Sequence, residues 1–297
     1  MYDIIIVGAG PAGLTAALYA LRANKKVLVL EARSYGGQII NAAKIENYPG
    51  IAEVSGFDYA TTLYNQVKNL GAEFKFETVI RIEEDKSVVT KANTYKAKAI
   101  ILATGSENRK LNLPNEDKFI GRGVSYCATC DGNFYRNKTV AVVGGGNTAL
   151  EDAIYLSNLV EKLYLIHRRD EFRGEEKLLV DEIKTKENVE IIFNSNVVSL
   201  NGDKKLESIV LEDNSANKKE LKVDGLFIAI GREPKNSVFA NIIDLDENGY
   251  IKYTGDVHTN VAGIYVAGDA KVKELRQLTT AVSDGAIAAT TAIREMK

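Results

Sequence analysis

The stretch "DIIIVGAGPAG", residues 3–13, decides the fold. Its first half is a short apolar run rich in Ile and Val, as expected of a strand buried in a parallel sheet. Its second half sets Gly8, Gly10 and Gly13 in G-x-G-x-x-G spacing, with Pro11 and Ala12 between them. "LTAALYALRANK" then reads as a helix, and "KVLVLE" as a second strand ending on Glu31, with Ala32 after it. Each part has a physical task. Gly8 makes the tight turn, Gly10 lets backbone approach a pyrophosphate, and Gly13 lets helix and strand pack closely. The helix N-terminus faces the anion, and Glu31, about 20 residues on, can accept a hydrogen bond from a ribose hydroxyl.

The same unit recurs. "TVAVVGGGNTA" (139–149) runs a strand into Gly144, Gly146, Asn147, Thr148 and Ala149. "LEDAIYLSNLV" reads as the helix and "KLYLIHRR" as the second strand. Gly8 to Glu31 is 23 positions (31 − 8), and Gly144 to His167 is also 23 (167 − 144). The equal spacing predicts two copies, each with its own dinucleotide. The copies differ at the end of the second strand, where one offers Glu31 and the other "HRRDEFR". A carboxylate repels a 2′-phosphate, whereas arginines bind one by charge-assisted, often bidentate bonds. The first site therefore suits an adenosine with a free ribose. The second, with His167, Arg168, Arg169 and Arg173, suits NADP. The plainer reading of those four is a solvated basic strand end.

Two further segments have the look of flavin-domain punctuation. "AKAIILATGS" (97–106) is an apolar strand ending at Ala103, Thr104 and Gly105, and "NVAGIYVAGDA" (260–270) is another, ending at Gly268 and Asp269. An acid at such a strand end can hydrogen-bond the sugar-alcohol chain of a flavin. "LRQLTTAVSDGAIAATTAI" follows as a helix whose start would point at the flavin ring. "GLFIAIGREP" (225–234) fits the place of the 97–106 strand in the second unit. The expected fold is α/β, with two Rossmann-like dinucleotide-binding domains, the NADP domain inserted into a discontinuous first domain. The expected segments are 1–112, 113–241 and 242–297, with "LPNEDK" (113–118) and "NIIDLDENG" (241–249) as polar, loop-like crossings.

Composition narrows the function. The 297 residues can bury a sizeable core and divide into two domains. Hydrophobic content of 45% and charged content of 26% fit a soluble globular protein. Lys+Arg 38 against Asp+Glu 40 gives a net charge of −2 with no basic block, which argues against a nucleic-acid footprint. No apolar run approaches the roughly 20 residues needed to cross a bilayer. "MYDIIIVGAG" reads as a strand rather than a signal peptide, so a cytoplasmic location is expected.

Both cysteines lie in "SYCATCDGNFY" (125–135), as Cys127 and Cys130. A zinc site would need Cys127, Cys130, His167 and His258, whose spacings match no zinc pattern. Two inert buried cysteines remain an open reading. A C-x-x-C pair can bring two sulfurs within bonding reach, and Asp131, directly after Cys130, could exchange the proton that thiol–disulfide interconversion requires. A flavin site, a nicotinamide site and a dithiol in one chain make an electron path.

"CATCDG", "VVGGGNTA", "HRRDEFR" and "GDAKVKELRQ" resemble the low-molecular-weight thioredoxin reductases, over essentially the whole chain. The resemblance implies that Cys130 lies on the flavin side, that Cys127 attacks a thioredoxin-like partner, and that Asp131 is the acid–base residue. It implies flavin contacts at Gly36, Gly37, Gln38, Asn47, Asp269, Arg276 and Gln277. It implies NADP contacts at Thr148, His167, Arg168, Arg169 and Arg173. It further implies non-covalent FAD, NADPH as the reductant, a homodimer, and rotation of the smaller domain between half-reactions. Ala270 and Lys271 depart from the Val and Arg often seen there, and Lys235 stands where Asn is common.

Related flavoproteins use a dithiol differently. The reductase module of a peroxide-reducing pair would carry an extra N-terminal region, and a ferredoxin-fed enzyme should lack the second fingerprint and its arginines. A dithiol oxidase needs no NADPH. A flavin-binding sensor or scaffold is the non-enzyme reading, and Cys127, Cys130 and Asp131 speak against it.

Overall fold

The structure, a computed structural model, describes all residues except 43, 173–176 and 297. The chain divides into two compact units, Met1–Glu107 with Glu233–Lys297, and Asn108–Arg232.

In the first unit, β1 (Tyr2–Val7) runs parallel to β2 (Val27–Leu30) on one side and to β6 (Thr94–Leu102) on the other. β3 (Glu73–Lys75) extends the sheet beyond β2, and β17 (Ile264–Val266) pairs in parallel with the end of β6. The start of β6 instead joins an antiparallel ribbon with β5 (Ser87–Thr90), which pairs with β4 (Val79–Ile82). Side chains alternate across the sheet. Ile4, Ile6, Val27, Val29, Ala99 and Ile101 therefore join one core cluster. Ile5, Val7, Leu28, Leu30, Ile100 and Leu102 join the other. Both sets are buried, which is why the run reads as continuously apolar rather than alternating.

α1 (Pro11–Arg22), α2 (Gly56–Asn69) and α7 (Leu278–Glu295) supply residues to the first cluster. Proline at the first helical position of α1 costs no hydrogen bond, because that N–H would have no intrahelical acceptor. α1 and α7 are rich in alanine, so their backbones approach closely. A Cβ on Gly285 would overlap the carbonyl oxygen of Ala12.

The second unit repeats the plan. Its parallel sheet has the order β11 (Val189–Ile192), β10 (Lys162–Ile166), β9 (Thr139–Val143), β15 (Gly225–Ile228), β8 (Val124–Ser125). α5 (Asn147–Ser157) and α6 (Lys177–Lys184) cover one face, meeting Val140, Val142, Leu163 and Leu165. An antiparallel sheet of β12 (Ser195–Asn201), β13 (Ser208–Asp213) and β14 (Lys218–Lys222) covers the other, meeting Ala141, Val143, Ile166 and Leu226. The short helices α3 (Glu116–Phe119) and α4 (Ala128–Asp131) precede β9.

The crossings between units fall at 107/108 and 232/233, ahead of the two polar loops that the sequence marks out. They run through β7 (Ser106–Asn108) and β16 (Arg232–Pro234), which pair with each other. The loops are held within their own units by apolar neighbours. Leu111 and Leu113 pack into the second unit's core, and Ile242, Ile243 and Leu245 into the first unit's. Glu116, buried in "LPNEDK", accepts from the N–H of Leu111 and of Leu113.

Gly285→Ala should lower stability by about 1–3 kcal/mol, because the α1–α7 backbones must part to admit one methyl. A chemical-denaturation midpoint that equals the wild type's would show that the two helices do not pack as described.

Candidate active site

Gly8 turns the chain off β1 at φ +108°, and a Cβ there would overlap the carbonyl oxygen of Ala103 at the end of β6. A Cβ on Gly13 would overlap the Gly8 carbonyl, so helix and turn are in backbone contact. Gly10 is different. A Cβ there would meet only Gly37 Cα, at 3.8 Å, an ordinary van der Waals contact, so nothing crowds the position. No side chain caps the start of α1. A helix N-terminus that no side chain caps, behind an uncrowded glycine, makes a cradle that suits an anion.

Three segments lie against that cradle, at Gly36–Gln38, Glu31 and Gly268, and Asn47, Arg276 and Gln277 lie elsewhere in the same unit. The N–H of Gly36 donates to the carbonyl of Ala9 (2.8 Å), which lays the turn of Gly36, Gly37 and Gln38 beside Gly10. The Glu31 carboxylate is pinned at the end of β2, its Oε2 accepting from the Ala9 N–H (2.8 Å) and its Oε1 from the Arg33 N–H (2.9 Å). Ala32, next in the chain, is exposed. Gly268, at φ +70°, comes so close to Ala12 that its own Cβ would press on the Ala12 methyl. Asn47 Nδ2 donates to Gln277 Oε1 (3.2 Å), and Gln277 starts α7 with a reciprocal cap to Thr280. Arg276 lies over the Tyr250 ring at 4.4 Å, and its buried Nε–H finds no hydrogen-bond acceptor among the described residues. A buried donor left this way calls for an acceptor from a ligand. These features fit a dinucleotide with further polar groups.

Sequence reasoning missed two supports of this site. Asn236 is fully buried. It accepts from Thr104 Oγ1 (2.7 Å) and donates to the carbonyls of Gly249 and Ala270 (both 3.0 Å), tying the Thr104–Gly105 turn to the Gly268–Ala270 turn. Asp284 of α7 accepts from Lys271 Nζ (2.8 Å), Lys273 Nζ (2.8 Å) and the Gly268 N–H (3.1 Å). Lys273 also lies 3.7 Å from Asp269 Oδ1. Lys271, noted in the sequence only as a departure, is thus a buried cation with a partner. Its neighbours come from α7 and from residues 253–256, so adjacency in the chain gave no signal.

The second unit repeats the cradle. Gly144, at φ +154°, would place a Cβ on the Ala229 carbonyl, and the methyl of Ala149 already occupies the third-glycine position. Gly146 faces open space, α5 starts without a side-chain cap, and Asn147 and Thr148 are exposed there. His167 is buried, its ring filling the space where Gly145 lacks a Cβ and stacking on Phe172 at 5.4 Å. Arg168 and Arg169 follow it, both exposed. Arg173 lies outside the described residues. Asp152, partly buried on α5, has its carboxyl pushed up to about 7 by burial and by the nearby Glu151 charge.

Cys127 and Cys130 are joined in a disulfide, with Cα atoms 5.3 Å apart. Cys127 caps α4, and both cysteines are partly exposed. The Cys127 Sγ lies 3.5 Å from Thr129 Oγ1. Burial pushes the Asp131 carboxyl above the usual carboxylate range, and a hydrogen bond from Ser125 opposes that shift. Ser125 Oγ donates to Asp131 Oδ2 at 2.6 Å and accepts from the Cys127 N–H at 3.1 Å. The sulfurs are bonded to each other, which departs from the reading of two inert buried cysteines.

Residues 2–285 match the family described as pyridine nucleotide-disulphide oxidoreductase. A thioredoxin reductase of Listeria innocua serovar 6a is 43% identical over 293 residues, covering 97% of this chain and 92% of its own length. One of Treponema pallidum is 42% identical over 293 residues, with 97% and 95% covered. The crystal structure of thioredoxin reductase from Streptococcus pyogenes superposes with a TM-score of 0.94 at 39% identity, covering 99% of this chain and 97% of that one. By sequence, by fold and by its bonded C-x-x-C pair, the chain belongs to the pyridine nucleotide-disulphide oxidoreductase family, among the thioredoxin reductases.

Proposed function

We propose that the protein is an NADPH-dependent flavoprotein that reduces the disulfide of thioredoxin, or of a thioredoxin-like protein, through Cys127 and Cys130. The observation that carries this reading is the presence in one chain of two dinucleotide cradles and a C-x-x-C disulfide. FAD, bound non-covalently, and NADPH would supply the hydride and electron-pair chemistry. The first unit holds the flavin. Glu31 binds the ribose of its adenosine, and the start of α1 at Gly10 receives its pyrophosphate. Gly36, Gly37, Gln38, Asn47, Asp269, Arg276 and Gln277 line the rest. The second unit holds NADPH, with Gly146, Asn147 and Thr148 at the pyrophosphate and Arg168, Arg169 and Arg173 at the 2′-phosphate. Cys127 attacks the partner disulfide. Asp131 holds the proton that the dithiol gains and loses, and its raised carboxyl suits it to both directions. No helix among the described residues is long and apolar enough to cross a membrane. A cytoplasmic homodimer accords with the family.

The purified protein should be yellow, lose its visible absorbance with NADPH without oxygen, and regain it when oxidised thioredoxin is added. A protein that stays colourless after incubation with FAD would sink this reading.

NADPH should be strongly preferred to NADH, because the two differ by one phosphate and only groups at the ribose 2′ position can tell them apart. A charge-assisted hydrogen bond contributes roughly 1.5–3 kcal/mol, so Arg168→Ala or Arg169→Ala should each lose about one to two decades of kcat/KM for NADPH. NADH efficiency should barely change. Equal loss with both cofactors, or no loss in either variant, would make these arginines a solvated strand end.

A further inference from the structure

Ser125 has no role in the reading above, yet its hydroxyl joins the two ends of the redox motif. It is the last residue of β8, and its backbone is set by parallel pairing with Phe227 of β15. Its side chain is buried, at 4% exposure. The hydroxyl has one proton and two acceptors within reach, Asp131 Oδ2 at 2.6 Å and the Cys127 carbonyl at 3.4 Å. The charged, nearer acceptor wins. A lone pair of the same oxygen takes the Cys127 N–H at 3.1 Å, and the Asp131 N–H closes the loop onto the Cys127 carbonyl, also at 3.1 Å.

We propose that Ser125 is a positioning residue of the redox motif: its hydroxyl orients the Asp131 carboxyl beside the disulfide turn and thereby governs proton exchange between that carboxyl and the dithiol. This rests on the acid–base role of Asp131 proposed above. Donation from Ser125 stabilises the ionised carboxylate against the burial that destabilises it. Other ionisable groups surround the turn. Tyr135, one turn on, packs edge-on against Phe227, with Lys138 over its ring and the Asp224 charge nearby. α5 carries Glu151, Asp152 and Tyr155, and the Tyr155 ring abuts Gly132. None of these shows a hydrogen bond to the Asp131 carboxyl, whereas Ser125 does.

The step can be isolated with dithiothreitol as reductant and no NADPH. A reagent thiolate attacks Cys127 Sγ, the Cys127–Cys130 bond breaks, and its electron pair goes to Cys130 Sγ, which takes the Asp131 proton. The second reagent thiol gives its proton to solvent and, as a thiolate, displaces Cys127 as a thiolate; solvent then protonates Cys127 and Asp131. The reagent ends as its cyclic disulfide and the protein as the dithiol. Divided by reagent thiolate concentration, the rate should fall as pH rises through the Asp131 titration, because only the protonated carboxyl can donate.

The test is that pH profile in the oxidised flavin-loaded protein, read by acid quench and mass analysis of labelled thiols. Ser125→Ala removes the hydroxyl. Ser125→Thr and Ser125→Val match each other in shape and differ only in the hydroxyl. The break should move up by about one unit in the Ala and Val variants, a tenfold change in proton affinity, and stay near the wild-type position in the Thr variant. Asp131→Asn should abolish the break. If Asp131→Asn abolishes it while the Ala and Val variants keep the wild-type break, the role of Ser125 is overturned and that of Asp131 stands. If Asp131→Asn keeps the wild-type break, Asp131 is not the acid and both proposals fall.

Discussion

A missing side chain sets the geometry of both units. At Gly8 and again at Gly144 the chain leaves a central strand at positive φ, and the carbonyl of the neighbouring strand end stands where a Cβ would be. Any larger residue would push the turn away from Ala103 or Ala229. Because the turn stays close, the following helix starts directly over the sheet's edge, with its N-terminus unfilled by side chains. The second glycine of each loop is then uncrowded, Gly10 touching only Gly37 and Gly146 facing open space, while the third position, Gly13 or Ala149, is packed against the turn. One steric constraint thus yields tight helix–strand packing and an anion cradle together.

The two copies use the same scaffold for opposite chemistry at the strand end. Glu31 needs donors, and the backbone N–H of Ala9 supplies one. His167 needs volume, and Gly145, the residue equivalent to Ala9, supplies it by having no Cβ. The middle residue of each G-x-G is therefore matched to its strand-end partner across 22 positions (31 − 9 and 167 − 145). A carboxylate held by the backbone favours a ribose hydroxyl. An aromatic ring packed flat lets the chain continue into two exposed arginines.

Burial of charge follows the rule that ions leave water only in company. Asp284 is held by two lysines and a backbone N–H, and Lys271 also donates to the Asp256 carbonyl and lies over the Tyr253 ring. Asp131 has less company, one serine hydroxyl, and its carboxyl rises accordingly. The contrast separates a structural ion cluster from a group poised to change its protonation. A buried carboxyl with a single hydroxyl donor, beside a disulfide, can carry a proton.

The amino-acid sequence by itself determined the repeated strand–glycine–helix–strand unit, because period and glycine spacing are local properties that survive in one dimension. It put Cys127 and Cys130 within bonding reach of each other, and the resemblance to the thioredoxin reductases made them the expected redox pair. It also marked Glu31 and His167 through equal spacing from their fingerprints. It placed the crossings between units too late in the chain, because polar loops look alike whether they link domains or cap them, and only the packing of Leu111, Leu113, Ile242, Ile243 and Leu245 shows which they do. Tertiary structure alone decided the roles of Asn236, Lys271 and Asp284, whose partners lie up to 132 positions away (236 − 104). It decided the bond from Ser125 to Asp131 as well. The two stand six apart in the chain, and it is the pairing of β8 with β15 that turns the hydroxyl onto the carboxyl. Hydrogen bonds between distant or strand-fixed side chains depend on where the backbone is brought, and no local pattern of residues encodes that.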